Sequence, residues 1–313
     1  MFMTLMGTGT SHGIPVIACH CKVCTSTDPK DTRYRCSAYI TQQESDGHLT
    51  QIVIDTGPEF RLQAIRYGIT DLDAVLLTHS HADHLHGLDD LRVFSRTCPS
   101  NHCTEKMSVT AKGGNRSRDG LAVYANPQTI ADVENRFDYV FKKTVQGGGI
   151  PKLHLMDCTV YTGLTPLFIG SLRIIPVPLN HGELITSGYL ISHTGKDGIM
   201  HSAAYLTDCN SISKKSLSLI KKYCGILDDV VIDGLRYRPH ATHCSFDEAL
   251  YYANLLSPLH TWLIHICHDM CHTEIESYVK SRLFAYPNLN KIVKDGGSAG
   301  PAWDGLVLQT GEA

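Results

Sequence analysis

The chain has 313 residues, 42% of them hydrophobic, which is enough for one large core or two small ones. Its 28 Lys and Arg stand against 31 Asp and Glu, so no basic field exists to make nucleic acid the default partner. No apolar run approaches the roughly 18–20 residues that span a bilayer, and the start Met1-Phe-Met-Thr-Leu-Met-Gly7 lacks a basic leader region. A cytoplasmic protein with reduced thiols and no membrane partner is therefore expected.

Short apolar runs between turn signals predict strands at Phe2–Met6, Ser37–Thr41, Gln51–Asp55, Ala74–Thr78 and Ala122–Ala125. Further strands are predicted at Leu167–Pro176, Ser187–Ser192, Ala203–Leu206, Asp229–Ile232 and Thr261–Ile264. Helical spacing of apolar positions appears over 58–67 and, more clearly, over 128–142. Ser245-Phe-Asp-Glu248 and Thr273-Glu-Ile-Glu276 both fit the capping box, in which side chains at the first and fourth positions satisfy each other's backbone N–H. Strands interleaved with helices in two successive groups indicate an α/β layered fold. Residues 98–120 are polar and aperiodic and read as a surface insertion. No linker divides the chain, so one domain over 1–313 is expected.

Residues 75–84 read Val-Leu-Leu-Thr-His-Ser-His-Ala-Asp-His. Four metal-competent side chains, His79, His81, Asp83 and His84, fall within six residues where a buried strand gives way to a loop. His79 and His81 can serve one ion, and Asp83 and His84 a second. Imidazole with carboxylate suits Zn²⁺, or Mn²⁺ in a more oxygen-rich setting. His86, just beyond, reads as a surface or supporting group. A cluster this short needs distant ligands to complete two sites. His181, Asp208 and His265 each follow an apolar run, and an acid such as Asp208 can bridge two cations.

Cys19-His-Cys21-Lys-Val-Cys24 is a second dense group. Three thiolates can hold one structural Zn²⁺ if a fourth ligand arrives from elsewhere. His268 is the candidate, with His272, Cys271, Cys267 and His20 as rivals.

The Thr78-His-Ser-His-Ala-Asp-His84 run, followed in order by His181, Asp208 and His265, resembles the metallo-β-lactamase-fold hydrolases. Asp55-Thr-Gly is similar to that fold's early Asp motif. The resemblance implies a four-layer αββα sandwich with a dinuclear site at one edge, and His81, where Glu is the alternative, fits its zinc hydrolase branch. Gly7-Thr-Gly-Thr-Ser-His-Gly-Ile-Pro15, the cysteine run, Arg33-Tyr-Arg-Cys-Ser-Ala-Tyr-Ile40 and Pro301-Ala-Trp-Asp-Gly-Leu306 resemble the phosphoribosyl 1,2-cyclic phosphate phosphodiesterase group, relatives of the C–P lyase pathway enzyme. In that group a His three residues after the last active-site His completes the structural zinc, which implies His268.

The resemblance also implies a catalytic His before the helix begun at Ser245. His243 sits there, where backbone N–H groups favour an anion, and is the expected general acid. Asp83 is expected to be catalytic as well as a ligand. Arg236, Arg238 and His240 are candidates to grip phosphate or ribose. The expected enzyme is a phosphodiesterase with two Zn or Mn ions, acting on a small cyclic phosphodiester through a dimetal-bridging hydroxide. A tRNA 3′-processing nuclease, with Lys106, Lys112, Arg116 and Arg118 as its basic patch, and a thioesterase or lactonase remain as alternatives. A homodimer is compatible with the sequence.

Overall fold

The structure is a computed structural model that describes residues 1–95, 120–142 and 149–311. Fourteen strands form two seven-stranded sheets among the described residues. The first sheet holds β1 (Phe2–Gly7), β2 (Ser37–Gln43), β3 (Leu49–Ile54), β4 (Ala74–Leu76), β5 (Leu121–Ala125) and β6 (Leu153–Asp157). The second holds β7 (Leu167–Ile169), β8 (Leu172–His181), β9 (Leu184–Thr194), β10 (Met200–Leu206), β11 (Ile226–Asp233), β12 (His260–Ile264) and β13 (Ser298–Pro301). The last strand, β14 (Val307–Gln309), returns to pair antiparallel with β1. Spatial orders are β14-β1-β2-β3-β4-β5-β6 and β13-β12-β11-β10-β9-β8-β7.

Both sheets start antiparallel and finish parallel. β3 through β6 pair in parallel, as do β10 through β13. Parallel strands need crossovers, and helices supply them. The helices are α1 (Phe60–Arg66), α2 (Ala82–Leu85), α3 (Pro127–Arg136), α4 (Asp138–Phe141), α5 (Lys214–Tyr223), α6 (Phe246–Leu256), α7 (His272–Arg282) and α8 (Pro287–Lys294).

The period-2 alternation of each strand sorts its side chains into layers. Ile52 and Ile54 face Ile174, Ile191 and Tyr205 in the core between the sheets. Val53, between them, faces the other way and packs with Phe60 of α1 and Val133 of α3. On the far side, Val230 and Leu263 pack with Ile220 of α5, Leu250 of α6, Ile275 of α7 and Leu289 of α8. Three apolar layers separate four layers of structure, the αββα sandwich expected.

Several expected elements shift. Leu167–Pro176 is not one strand but a hairpin, because Gly170 turns the chain at φ +57° between β7 and β8. The helix expected over 128–142 breaks at Phe137, whose backbone leaves the helical region, into α3 and α4. The second capping box lies two residues early, between Cys271 and Glu274. Glu276 instead takes a hydrogen bond from His272 Nε2 at 3.1 Å. β6, β13 and β14 are absent from the sequence reading, being short and, for β13, glycine-flanked. The polar insertion near 98–120 lies outside the described residues up to 119. No described helix is long and apolar enough to cross a membrane.

Candidate metal centre

The candidate residues gather where the parallel strands end, the edge at which open α/β sheets place their ligands. Asp55 follows β3, the histidine run follows β4, His181 ends β8, Asp208 follows β10, Asp233 ends β11 and His265 follows β12. Three of them, Asp55, Asp208 and His265, have left-handed backbone, with φ of 60°, 53° and 61°. Non-glycine residues there cost about 1–3 kcal/mol each and persist only where surrounding contacts fix them. Here the sharp turn at each strand end swings the side chain into a common space.

Two ligand groups result. His79, His81, His181 and Asp208 bring one donor atom each to within 4.8 Å of one another, and so do Asp83, His84, Asp208 and His265. Asp208 belongs to both and is almost fully buried. The inner nitrogens of three rings are left bare. Nε2 of His79, His84 and His265 is buried without a hydrogen bond. Yet His84 Nε2 stands 3.2 Å from Asp208 Oδ1, and His265 Nε2 stands 3.4 Å from Asp208 Oδ2. Buried polar nitrogens without partners are costly, and a cation among them would satisfy lone pairs and carboxylates together. The residues therefore fit a pair of metal ions.

The outer nitrogens of His79, His84 and His181 are held. Nδ1 of His84 donates to Asp55 Oδ2 at 2.7 Å. Nδ1 of His79 meets the Thr78 hydroxyl at 3.0 Å, and that hydroxyl donates to the same Asp55 oxygen at 2.8 Å. Nδ1 of His181 donates to the Thr242 carbonyl at 2.7 Å. Such contacts fix the tautomer that leaves Nε2 free to ligate. Asp55 thus orients two rings, a role the sequence motif did not disclose. Gly57 of the same motif lets this turn approach the histidine helix. A Cβ there would sit 2.2 Å from the Asp83 carbonyl oxygen.

Electrostatics follow from the packing. Burial pushes His79 well below its ordinary range. Burial also opposes charge on His84, but Asp208, Asp83 and Asp55 outweigh it and hold that ring well above. Burial likewise opposes charge on His265, and Asp208 and Asp83 lift it to about 9. Burial disfavours the Asp208 carboxylate, but the His265 and His84 charges hold it well below the carboxylate range.

Above the cluster lies a cleft of about 360 Å³, lined in part by Ser11, His81, Asp83, His181 and His243. His243 stacks on His265, ring centroids 4.4 Å apart, and its Nδ1 donates to Asp233 Oδ2 at 2.7 Å. That oxygen also accepts the Cys209 N–H at 2.9 Å, which fixes the carboxylate. Asp233 was not singled out from sequence. Its only signal is an acid ending an apolar run, as at Asp55 and Asp208. The remaining candidates lie outside the cleft wall. His240 is exposed, 5.3 Å from the His243 ring. Arg238 pairs with Asp269 at 3.0 Å, and Arg236 donates to the Pro239 carbonyl at 3.3 Å. His86 is exposed against Phe137.

The thiols form a second group. Cys19, Cys21 and Cys24 place Sγ at 3.3, 3.5 and 3.3 Å from His268 Nδ1. Of the five candidates for a fourth ligand, only His268 joins them. His272 is instead wedged between Arg33 and Glu276.

Comparison with known proteins agrees with this geometry. Residues 50–266 match the family model described as the beta-lactamase superfamily domain. The chain belongs to that superfamily and has its metallo-β-lactamase fold. It is also 32% identical to a diphosphatase from the PhnP family, with 98% of this chain and 97% of that one covered and a TM-score of 0.73. Within the superfamily, then, it belongs to the PhnP family. The Zn²⁺-bound PqqB of Methylobacterium extorquens shares the fold at 16% identity, with 99% and 100% of the two chains covered and a TM-score of 0.65. A Porphyromonas gingivalis protein named octanoyltransferase is 35% identical over 265 residues, 84% of this chain but 45% of that one. The chain thus spans less than half of that curated relative.

Proposed function

We propose that the chain is a dinuclear metal-dependent phosphodiesterase for a small phosphodiester, cyclic esters included. The observation that carries this reading is Asp208, shared by two four-ligand groups at the floor of a cleft that also presents His243. His79, His81, His181 and Asp208 would hold one Zn²⁺ or Mn²⁺, and Asp83, His84, His265 and Asp208 the other. Cys19, Cys21, Cys24 and His268 would hold a structural Zn²⁺, since four protein ligands leave no open position. Bound ions would supply Lewis acidity, an acidified water and neutralisation of phosphoryl charge.

The chain's own residues do the rest. Asp233 accepts a hydrogen bond from His243 Nδ1 and fixes the ring, which leaves Nε2 as the nitrogen that hands a proton to the leaving oxygen. The cleft walls would hold the ester beside that nitrogen. At about 360 Å³ the cleft lies near the low end for small-molecule sites, which favours a compact ester over a polymer. Among the described residues no Lys or Arg lines it, so ions and imidazoles would meet the charge of a singly charged diester.

The name octanoyltransferase belongs to a much longer protein, and among the described residues no Cys or Lys that could carry an acyl group lines this cleft. The lysines and arginines at 106–118 that would favour a nuclease lie outside the described residues. A screen of cyclic phosphates, linear diesters, diphosphates, RNA and thioesters tests the reading. Small phosphate esters should be hydrolysed, and Asp208→Ala should abolish this while the fold persists. Turnover of thioesters alone, or of structured RNA alone, would overturn it.

A further inference from the structure

A second cavity, about 780 Å³, lies at the β13 margin of the second sheet. All four residues of β13, from Ser298 to Pro301, line it. Side chains of a strand alternate between faces, so four in a row border one groove only if the groove runs along the strand's edge. Among the described residues that edge is the end of its sheet, because β13 pairs with β12 and no further strand.

The groove is shaped to receive a side chain. Gly300 stands opposite Trp262 in the β12–β13 register, and a Cβ built on Gly300 meets nothing within 4 Å. Its backbone is not in the left-handed region, so the conformation does not demand glycine here. Gly300 shares the face of the sheet that carries Trp262, so its missing side chain leaves space beside that indole. Phe284 stands at the rim, 75% exposed.

The groove is also charged. Lys30, Lys280 and Lys294 line it from three different elements, and none forms an ion pair among the described residues. The single acid, Glu276, is engaged by His272. Lys30 lies over the Trp303 ring at 4.2 Å, and His260 stacks on Trp262, so the indole faces are already occupied. A stacked planar ligand therefore fits poorly. A second copy of the chain would bring three lysines against three.

We propose that the β13 edge docks an extended acidic peptide segment of a partner protein, anchored by one apolar side chain over Gly300. Gly300 and Pro301 are buried and Ser298 and Ala299 half-exposed, so backbone pairing is confined to the start of the strand, and the side-chain pocket supplies selectivity. Pro301 offers no N–H, so the edge pairs over a short stretch and the anchor with its flanking carboxylates sets specificity.

The test is peptide display on the full-length, metal-loaded protein, counter-selected against Gly300→Leu. The best peptides are then measured by fluorescence anisotropy. Enrichment of Asp- and Glu-rich sequences with one central apolar residue is expected. The double variant Lys280→Glu/Lys294→Glu, at two exposed sites, should weaken them at least tenfold, and Gly300→Leu should remove binding. Phosphodiester hydrolysis should be unchanged in both. Absence of wild-type-specific peptides, or binding indifferent to the lysine reversals, would overturn the proposal. So would a dimer in sedimentation that Gly300→Leu dissolves, which would assign the groove to a second copy.

Discussion

Asp55 Oδ2 lies 2.7 Å from His84 Nδ1, and both side chains are wholly buried. The same oxygen takes the Thr78 hydroxyl, so one acid sets the orientation of His84 directly and of His79 through Thr78. Asp55→Asn keeps the shape and weakens both links. Metal affinity should fall about 10–100-fold, the usual effect of removing such a support. Competitive chelator titration checks this, and circular dichroism should show an intact fold.

The Asp233–His243 pair predicts a dependence on the leaving group. His243→Gln should cost about 10²–10⁴-fold in kcat on an alkyl diester, whose leaving oxygen needs a proton. On bis(p-nitrophenyl) phosphate, whose leaving group departs as an anion, the loss should be small. Asp233→Asn should show the same split, more weakly. Equal losses on both esters would remove the general-acid role.

Cys21→Ser should loosen the clip between the N-terminal loop and the segment after His265. If zinc binding weakens about a hundredfold, linkage removes about 2.7 kcal/mol. At this chain length that lowers Tm by roughly 4 °C. Thermal melts with zinc-release measurements check it.

His272 predicts a pH effect away from the catalytic cluster. Burial, with the Arg33 charge beside it, lowers its pKa to about 4 against the partial support of Glu276. The folded ring stays neutral where the unfolded one, near 6.5, takes up a proton. The unfolded chain therefore binds more protons between these values. The contribution is fully present above about 6.5 and is lost as pH falls toward 4. Urea unfolding across that window should show a decline in stability that is shallower in His272→Gln.

What the sequence disclosed was local. His79, His81, Asp83 and His84 are adjacent in the chain, so their chemistry shows without a fold. His181, Asp208 and His265 show because each ends an apolar run. Asp233 and Thr242 act across the register of distant strands and loops, and nothing near them in the chain marks the partner. Asp55 stood out as a motif, but its task depends on β3 lying beside β4. Short strands such as β13, held by neighbours more than by their own pattern, escaped for the same reason.

The central claim is a two-ion site bridged by Asp208 beside a separate thiolate site. Elemental analysis of the purified protein before and after mild chelation tests it most directly. About three metals per chain are expected. Chelation should remove about two of them, together with diester hydrolysis. A value near one metal per chain, or full hydrolysis after the labile ions are gone, would contradict the account.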